Sequence, residues 1–141
     1  MPSEPLLLTP SGIELQTSPC PPQTVLSGQP ESRHAKLLSN RNRMSTMMVW
    51  ECTPGTFRWH YAKDETAFVV LGEAFMMNER GEERRFAAGD VGFFPAGYTC
   101  TWRVTQTFRK IAVVKENVWL PLAWCIKACN KILSVTGLAG N

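Results

Sequence analysis

The sequence lacks several features, and each absence narrows the field. No stretch approaches the roughly 18 consecutive apolar residues that a membrane-crossing helix needs. No basic run is longer than the pairs Arg84-Arg85 and Arg109-Lys110, and 15 basic against 12 acidic residues leave a net charge of only +3. A nucleic-acid surface is therefore not expected. The five cysteines, at 20, 52, 100, 125 and 129, form no Cys-x-x-Cys pair, and their number is odd. Met1-Pro2-Ser3-Glu4-Pro5 carries no positive segment, and Leu6-Leu7-Leu8 is too short for the apolar core of a secretory leader. These features point to free thiols in a reducing cytoplasm. No internal repeat of solenoid length is present.

What is there describes one turn-rich domain. A chain of 141 residues can bury one real core and is too short for two ordinary ones. Ten glycines, ten prolines and 44% hydrophobic residues favour β structure. Residues 1–22 read as an irregular arm, because Pro5, Pro10, Pro19, Pro21 and Pro22 break regular elements, although Ile13-Glu14-Leu15 suits a short edge strand. Two short strands are expected within 24–40, divided by Gly28-Gln29-Pro30, and a buried strand over 44–52 ends at Thr53-Pro54-Gly55. Strand signals then recur at 56–61, 66–71, 73–77, 84–87, 91–94, 99–104 and 110–115. Gly72, Asn78-Glu79-Arg80-Gly81, Ala88-Gly89-Asp90 and Pro95-Ala96-Gly97 punctuate them, a pattern of a sandwich or barrel.

The character changes after residue 117. Pro121 suits a first helical turn, and Leu122, Cys125, Ile126, Cys129, Ile132 and Leu133 follow at helical spacing, with Gly137 as a stop. Lys127, Asn130, Lys131 and Ser134 form the opposite face. An apolar helical stripe is usually core, so packing on the barrel is expected, with a second subunit or a membrane surface as alternatives. Two lysines are few for an interfacial helix.

Two spacings carry a family resemblance. Glu65 precedes Gly72 by six intervening residues and follows His60 by four, and Gly89 precedes Pro95-Ala96-Gly97 by five. The chain resembles the cupins, whose RmlC-like fold is an all-β double-stranded β-helix, or jelly-roll barrel; here it would span 23–116 and be followed by a C-terminal α-helix over 117–141. Trp50 to His60, Asp64-Glu65-Thr66 and the segment Phe94-Pro95-Ala96-Gly97-Tyr98-Thr99-Cys100-Thr101-Trp102 resemble the (S)-ureidoglycine aminohydrolase type of small cupin.

In metal-binding cupins, two histidines and a glutamate of the first motif and a histidine of the second supply four ligands. Here those positions hold Arg58, His60, Glu65 and Cys100. Strand alternation puts Arg58 with His60, and Cys100 with Trp102, so these side chains are expected to share the interior while Phe57 and Trp59 point the other way. His60, Glu65 and Cys100 are an acceptable donor set for zinc or manganese. Arg58 opposes it: a guanidinium about 4 Å from a divalent ion costs roughly 8 kcal/mol at an effective dielectric near 20.

Without metal, Arg58 suits a substrate carboxylate, and His60 beside Glu65 suits proton transfer near neutral pH. Cys100 reads as an inert thiol, and Trp102 as part of an apolar pocket wall. The leading expectation is thus a cytoplasmic cupin that binds a small carboxylated or nitrogen-containing metabolite without a metal. His60 and Glu65 are the catalytic candidates and Arg58, Cys100 and Trp102 the ligand-binding ones. The alternatives are a metal-dependent enzyme using His60, Glu65 and Cys100, and an interaction protein using the C-terminal helix. A homodimer formed through the N-terminal segments is also expected. The residues do not name a substrate or a reaction.

Overall fold

The computed structural model describes residues 4–18 and 24–137. Pro19, Cys20, Pro21 and Pro22 of the arm lie outside the described residues. Nine strands form one curled antiparallel sheet: β1 Gln16–Thr17, β2 Val25–Gly28, β3 Ser32–Ser39, β4 Ser45–Cys52, β5 Gly55–His60, β6 Asp64–Met77, β7 Glu83–Ala87, β8 Val91–Phe94 and β9 Thr99–Lys115. Hydrogen-bonded neighbours run β1-β3-β4-β9-β5-β2, while β6 pairs with β7, β8 and β9. This is the all-β jelly-roll barrel that the cupin resemblance implies, with one α-helix, α1 Leu120–Val135, after it among the described residues.

Two pairs of expected short strands are each a single long one. The segments on either side of Gly72 belong to β6, and those on either side of residues 105–109 belong to β9. Gly72 was expected to punctuate a turn. It sits at positive φ (82°) in an irregular stretch of the β6–β9 ladder, and a Cβ there would collide with the carbonyl of Thr107. Glycine lets β6 kink without ending. β9 is then the spine: its first half pairs with β5, its second half with β4, and nearly its whole length with β6.

The core follows from period-two alternation. On β9, Cys100, Trp102, Val104, Phe108, Lys110 and Ala112 are buried or nearly so. Phe86, Phe94, Trp102 and Phe108 meet at centroid separations of 5.6–6.3 Å. The arm closes over part of the opposite surface. There Glu51 of β4 is 4% exposed and accepts hydrogen bonds from Arg33 of β3 and Arg109 of β9, whose Nη1 also donates to the Pro10 carbonyl at 2.8 Å. The strand in the arm falls at Gln16–Thr17, just beyond Ile13-Glu14-Leu15, and it pairs with β3 of its own chain. That pairing uses within one chain the strand fragment on which the expected exchange between subunits was based.

Helix α1 starts with Pro121 in its first turn, and Gly137, with φ 71°, follows its end. Its expected packing on the barrel is not observed: none of its residues is buried, and Trp119, Trp124 and Ile132 are each more than 60% exposed. The connection from β9 is tied instead to the β5–β6 loop. Lys63 pairs with Glu116 at 2.5 Å, and Asn117 donates to the Ala62 carbonyl at 2.9 Å.

Candidate functional site

The interior is set by the β5–β9 ladder. Phe57 pairs with Trp102 and Trp59 with Cys100, and Phe57, Cys100 and Trp102 are at most 6% exposed. These residues, with Tyr61 beyond the strand end, form the inward row. Arg58 and His60 alternate with them and therefore face outward, against the expectation that they share the interior. The Arg58 side chain is 58% exposed and lies 3.9 Å from the Glu79 carboxylate. The exposed His60 ring shares a 2.8 Å hydrogen bond between its Nδ1 and the Thr99 hydroxyl. Phe57 and Trp59, expected to point outward, wall the cavity instead. The reason is apolar area: an aromatic row of Phe57, Trp59 and Tyr61 gains far more from burial than an Arg–His row loses by exposure.

Of the expected site residues, Glu65, Cys100 and Trp102 face inward. Glu65 stands near the start of β6, opposite Phe94 and Val114, and accepts a hydrogen bond from the Lys110 ammonium at 2.5 Å. Both side chains are only 11–12% exposed. Lys110 comes from the second half of β9, opposite Trp50, and its ammonium lies 5.2 Å from the centroid of the Trp50 ring. A paired cation over an aromatic face in a low-dielectric site is held by both partners.

Tyr61 completes this corner. Its ring stacks on Phe94 at 4.8 Å with an interplanar angle of 9°, and its hydroxyl accepts from Trp102 Nε1 at 3.1 Å. Burial, with the negative charge of Glu65 nearby, pushes the phenol well above its usual value, so it remains a neutral hydroxyl with a proton to donate. Burial likewise pushes the Cys100 thiol up to about 12. That is the inert thiol expected of an apolar site.

The cavity enclosed by these strands has a volume of about 220 Å³. Its walls are Trp50, Phe57, Trp59, Tyr61, Trp102 and Phe108, and its polar groups include Glu65, Lys110 and His34. His34 comes from β3, opposite Trp50, and its Nδ1 is buried with no hydrogen-bond partner among the described residues. Buried polar atoms are normally satisfied, so an orphaned one beside a cavity marks where a bound group would be held.

His34, Trp50 and Lys110 were missed at the sequence level. Trp50 and Lys110 lie on alternating strands whose faces an apolar-pattern reading could have assigned. The Glu65–Lys110 pair spans 45 residues, and nothing local signals it.

The residues at the cupin metal positions do not fit a metal ion. His60 is outside, and the Glu65 carboxylate is engaged by a lysine. Among the described residues, no three His, Cys, Asp or Glu side chains stand together as a donor set.

The barrel and its pocket are those of a cupin, and sequence comparison names the branch. The EutQ-like cupin domain matches residues 39–112, and the chain belongs to that family. No curated protein is significantly similar to it in sequence. A protein of unknown function of the DUF861 family from Pseudomonas syringae pv. tomato superposes with a TM-score of 0.67 at 24% identity, covering 74% of this chain and 45% of its own. The chain thus spans less than half the length of that relative. The EutQ protein of Clostridium difficile gives a TM-score of 0.56 at 21% identity, covering 64% and 66%. A predicted oxalate decarboxylase from Thermotoga maritima gives 0.60 at 20%, covering 79% and 100%. These likenesses concern the fold.

Proposed function

We propose that this cupin binds a small, planar, neutral metabolite of the amide, lactam or cyclic-urea kind in the barrel cavity, without a metal. The observation that carries this reading is the Glu65–Lys110 pair set into an aromatic-walled cavity. The two charges cancel, so the site favours a neutral guest over an ion. The ammonium has three donors and gives one to Glu65, which leaves donors for a ligand carbonyl. The second oxygen of Glu65 suits the adjacent N–H of such a group. Flat aromatic walls suit a planar body, and His34 Nδ1 offers a further polar contact at the β3 side.

The preference for a carboxylate rested on Arg58, and the outward placement of Arg58 removes that support. The metal-dependent reading, with the narrower likeness to ureidoglycine aminohydrolase, needs His60 beside Glu65, and the same outward turn separates them. Cys100, Cys125 and Cys129 are free thiols among the described residues, which supports a reducing compartment such as the cytoplasm. We read the assembly as a homodimer, because the outer sheet face carries exposed Phe68, Val91 and Phe93 that need cover.

The test is a thermal-shift and calorimetric comparison of aromatic lactams and cyclic ureas with the matching carboxylates, using the wild type, Lys110→Met and Arg58→Ala. Stabilisation by the neutral compounds, lost in Lys110→Met and kept in Arg58→Ala, is expected. Binding of carboxylates alone, abolished by Arg58→Ala, would overturn the reading. So would about one metal ion per chain that disappears in Glu65→Gln.

A further inference from the structure

Hydrogen-bonding groups line the barrel cavity at two separate places. At one, the Lys110 ammonium meets the Glu65 carboxylate. Ala67 and Ala112, fully buried and opposite one another on β6 and β9, lie between them in register and leave room for the two long side chains to meet. The other place is on β3. His34, Trp50 and Lys110 stand opposite one another across β3, β4 and β9, and all three line the cavity. The Glu65–Lys110 pair is satisfied within the chain, whereas the buried Nδ1 of His34 has no hydrogen-bond partner among the described residues. A buried polar atom of that kind calls for a partner from outside the chain.

We propose that His34 is a second anchor for the ligand, and that the ligand is therefore a flat ring with hydrogen-bonding groups on two opposite edges, of the pyrimidinedione or diketopiperazine kind. This rests on the reading that Glu65 and Lys110 hold a neutral amide group, and it names that guest more closely. One edge of the ring gives its carbonyl to Lys110 and its N–H to Glu65. The opposite edge meets His34, whose Nδ1 accepts from an N–H in one tautomer and donates to a carbonyl in the other.

The dimensions agree. Adjacent strands lie about 4.8 Å apart, so the backbones of His34 and Lys110, two strands from each other, are separated by about 10 Å. That gap takes one six-membered ring with a hydrogen bond of about 2.9 Å at either edge. The cavity of about 220 Å³ is smaller than the roughly 300–1,000 Å³ of ordinary small-molecule pockets, which limits the guest to one or two small rings. Trp50 stands between the two anchors as a flat wall. A ring with a single lactam edge would fill the Glu65–Lys110 end and leave His34 Nδ1 without a partner, forgoing one hydrogen bond.

Uracil and 2-pyridone, flat six-membered rings with two hydrogen-bonding edges and one, test this in titrations of the full chain. The wild type should bind uracil about tenfold more tightly than 2-pyridone, as one further hydrogen bond allows. His34→Leu should bring uracil down to the affinity of 2-pyridone and leave 2-pyridone within about twofold, with the β-sheet circular dichroism retained. Equal affinities in the wild type, or uracil binding unchanged in His34→Leu, would overturn the second anchor while the Glu65–Lys110 reading stands. Failure of both rings to bind the wild type would overturn both. A second measurement needs no change at His34. The chain has two histidines, His34 and His60, so nitrogen-15 histidine labelling of His60→Gln reports on the His34 ring alone. Saturating uracil should shift its ring nitrogen signals and 2-pyridone should not; signals unmoved by uracil would mean that water, not ligand, satisfies His34, and would overturn the proposal.

Discussion

Lys110 places its ammonium 2.5 Å from a carboxylate oxygen of Glu65, which stands on the neighbouring strand β6 and 45 positions away in sequence. Each is nearly buried, so each is the condition for the other's charge. Lys110→Met strands the Glu65 carboxylate and should destabilise the fold by about 3 kcal/mol in urea unfolding. The double variant Glu65→Gln/Lys110→Met should recover most of that loss. A single variant as stable as the wild type would show that water, not Lys110, satisfies Glu65.

The inward row of β5 can be separated from its outward row by substitution. Arg58→Ala and His60→Ala should each change unfolding free energy by no more than about 0.5 kcal/mol, as exposed side chains do. Trp59→Ala, half-buried against the core, should cost about 2 kcal/mol and abolish ligand-induced stabilisation. A large effect at His60 with none at Trp59 would mean that the strand presents its other face.

How much of this was legible in the sequence depends on what kind of information each feature carries. The barrel was legible because turns are local: Gly89, Pro95 and Gly97 announce corners by their own conformational limits. Which face of β5 is inside was misread because the motif spacing drew attention to His60, although Phe57, Trp59 and Tyr61 form the stronger apolar alternation. Alternation shows that Arg58 and His60 share a face and leaves open which face it is. The helix was legible from its period, but its destination depends on a surface that no local pattern reports. Glu65 was read correctly as an inward group, whereas its partner Lys110 emerges only when β6 and β9 are laid side by side.

Thiol chemistry should follow burial. Burial raises Cys100 to about 12, more than the nearby Lys110 charge lowers it, so at about pH 8 it stays protonated. In a Cys20→Ser background, Cys125 and Cys129, both exposed, should react with a chromogenic disulfide within seconds. Cys52 and Cys100 should react only on unfolding. Rapid labelling of Cys100 in the native protein would require an open cavity and a lowered pKa.

Glu51 should make the fold acid-sensitive. Burial raises its pKa, but the hydrogen bonds from Arg33 and Arg109, with their charges, outweigh this and hold it below the ordinary value of 4.5. A carboxyl whose folded-state value is depressed contributes stability above its unfolded value and loses it as the pH falls through the folded one. Urea unfolding should therefore show declining stability below about pH 4.5. Glu51→Gln should be less stable at neutral pH and show a shallower decline. An unchanged acid profile would place the sensitivity on other carboxylates.

Among the described residues, β9, 17 residues long, is the one strand that pairs with β4, β5 and β6 together. Its pairings reach back to Ser45 from Lys115, so the barrel is built from contacts between distant parts of the chain. Such topologies fold slowly, because many loops must close before any of the spine is rewarded. During synthesis β4, β5 and β6 emerge without their common partner, and their edges and apolar faces wait until Lys115 has left the ribosome. A nascent chain stopped before β9 is thus the species most exposed to chaperones and to aggregation.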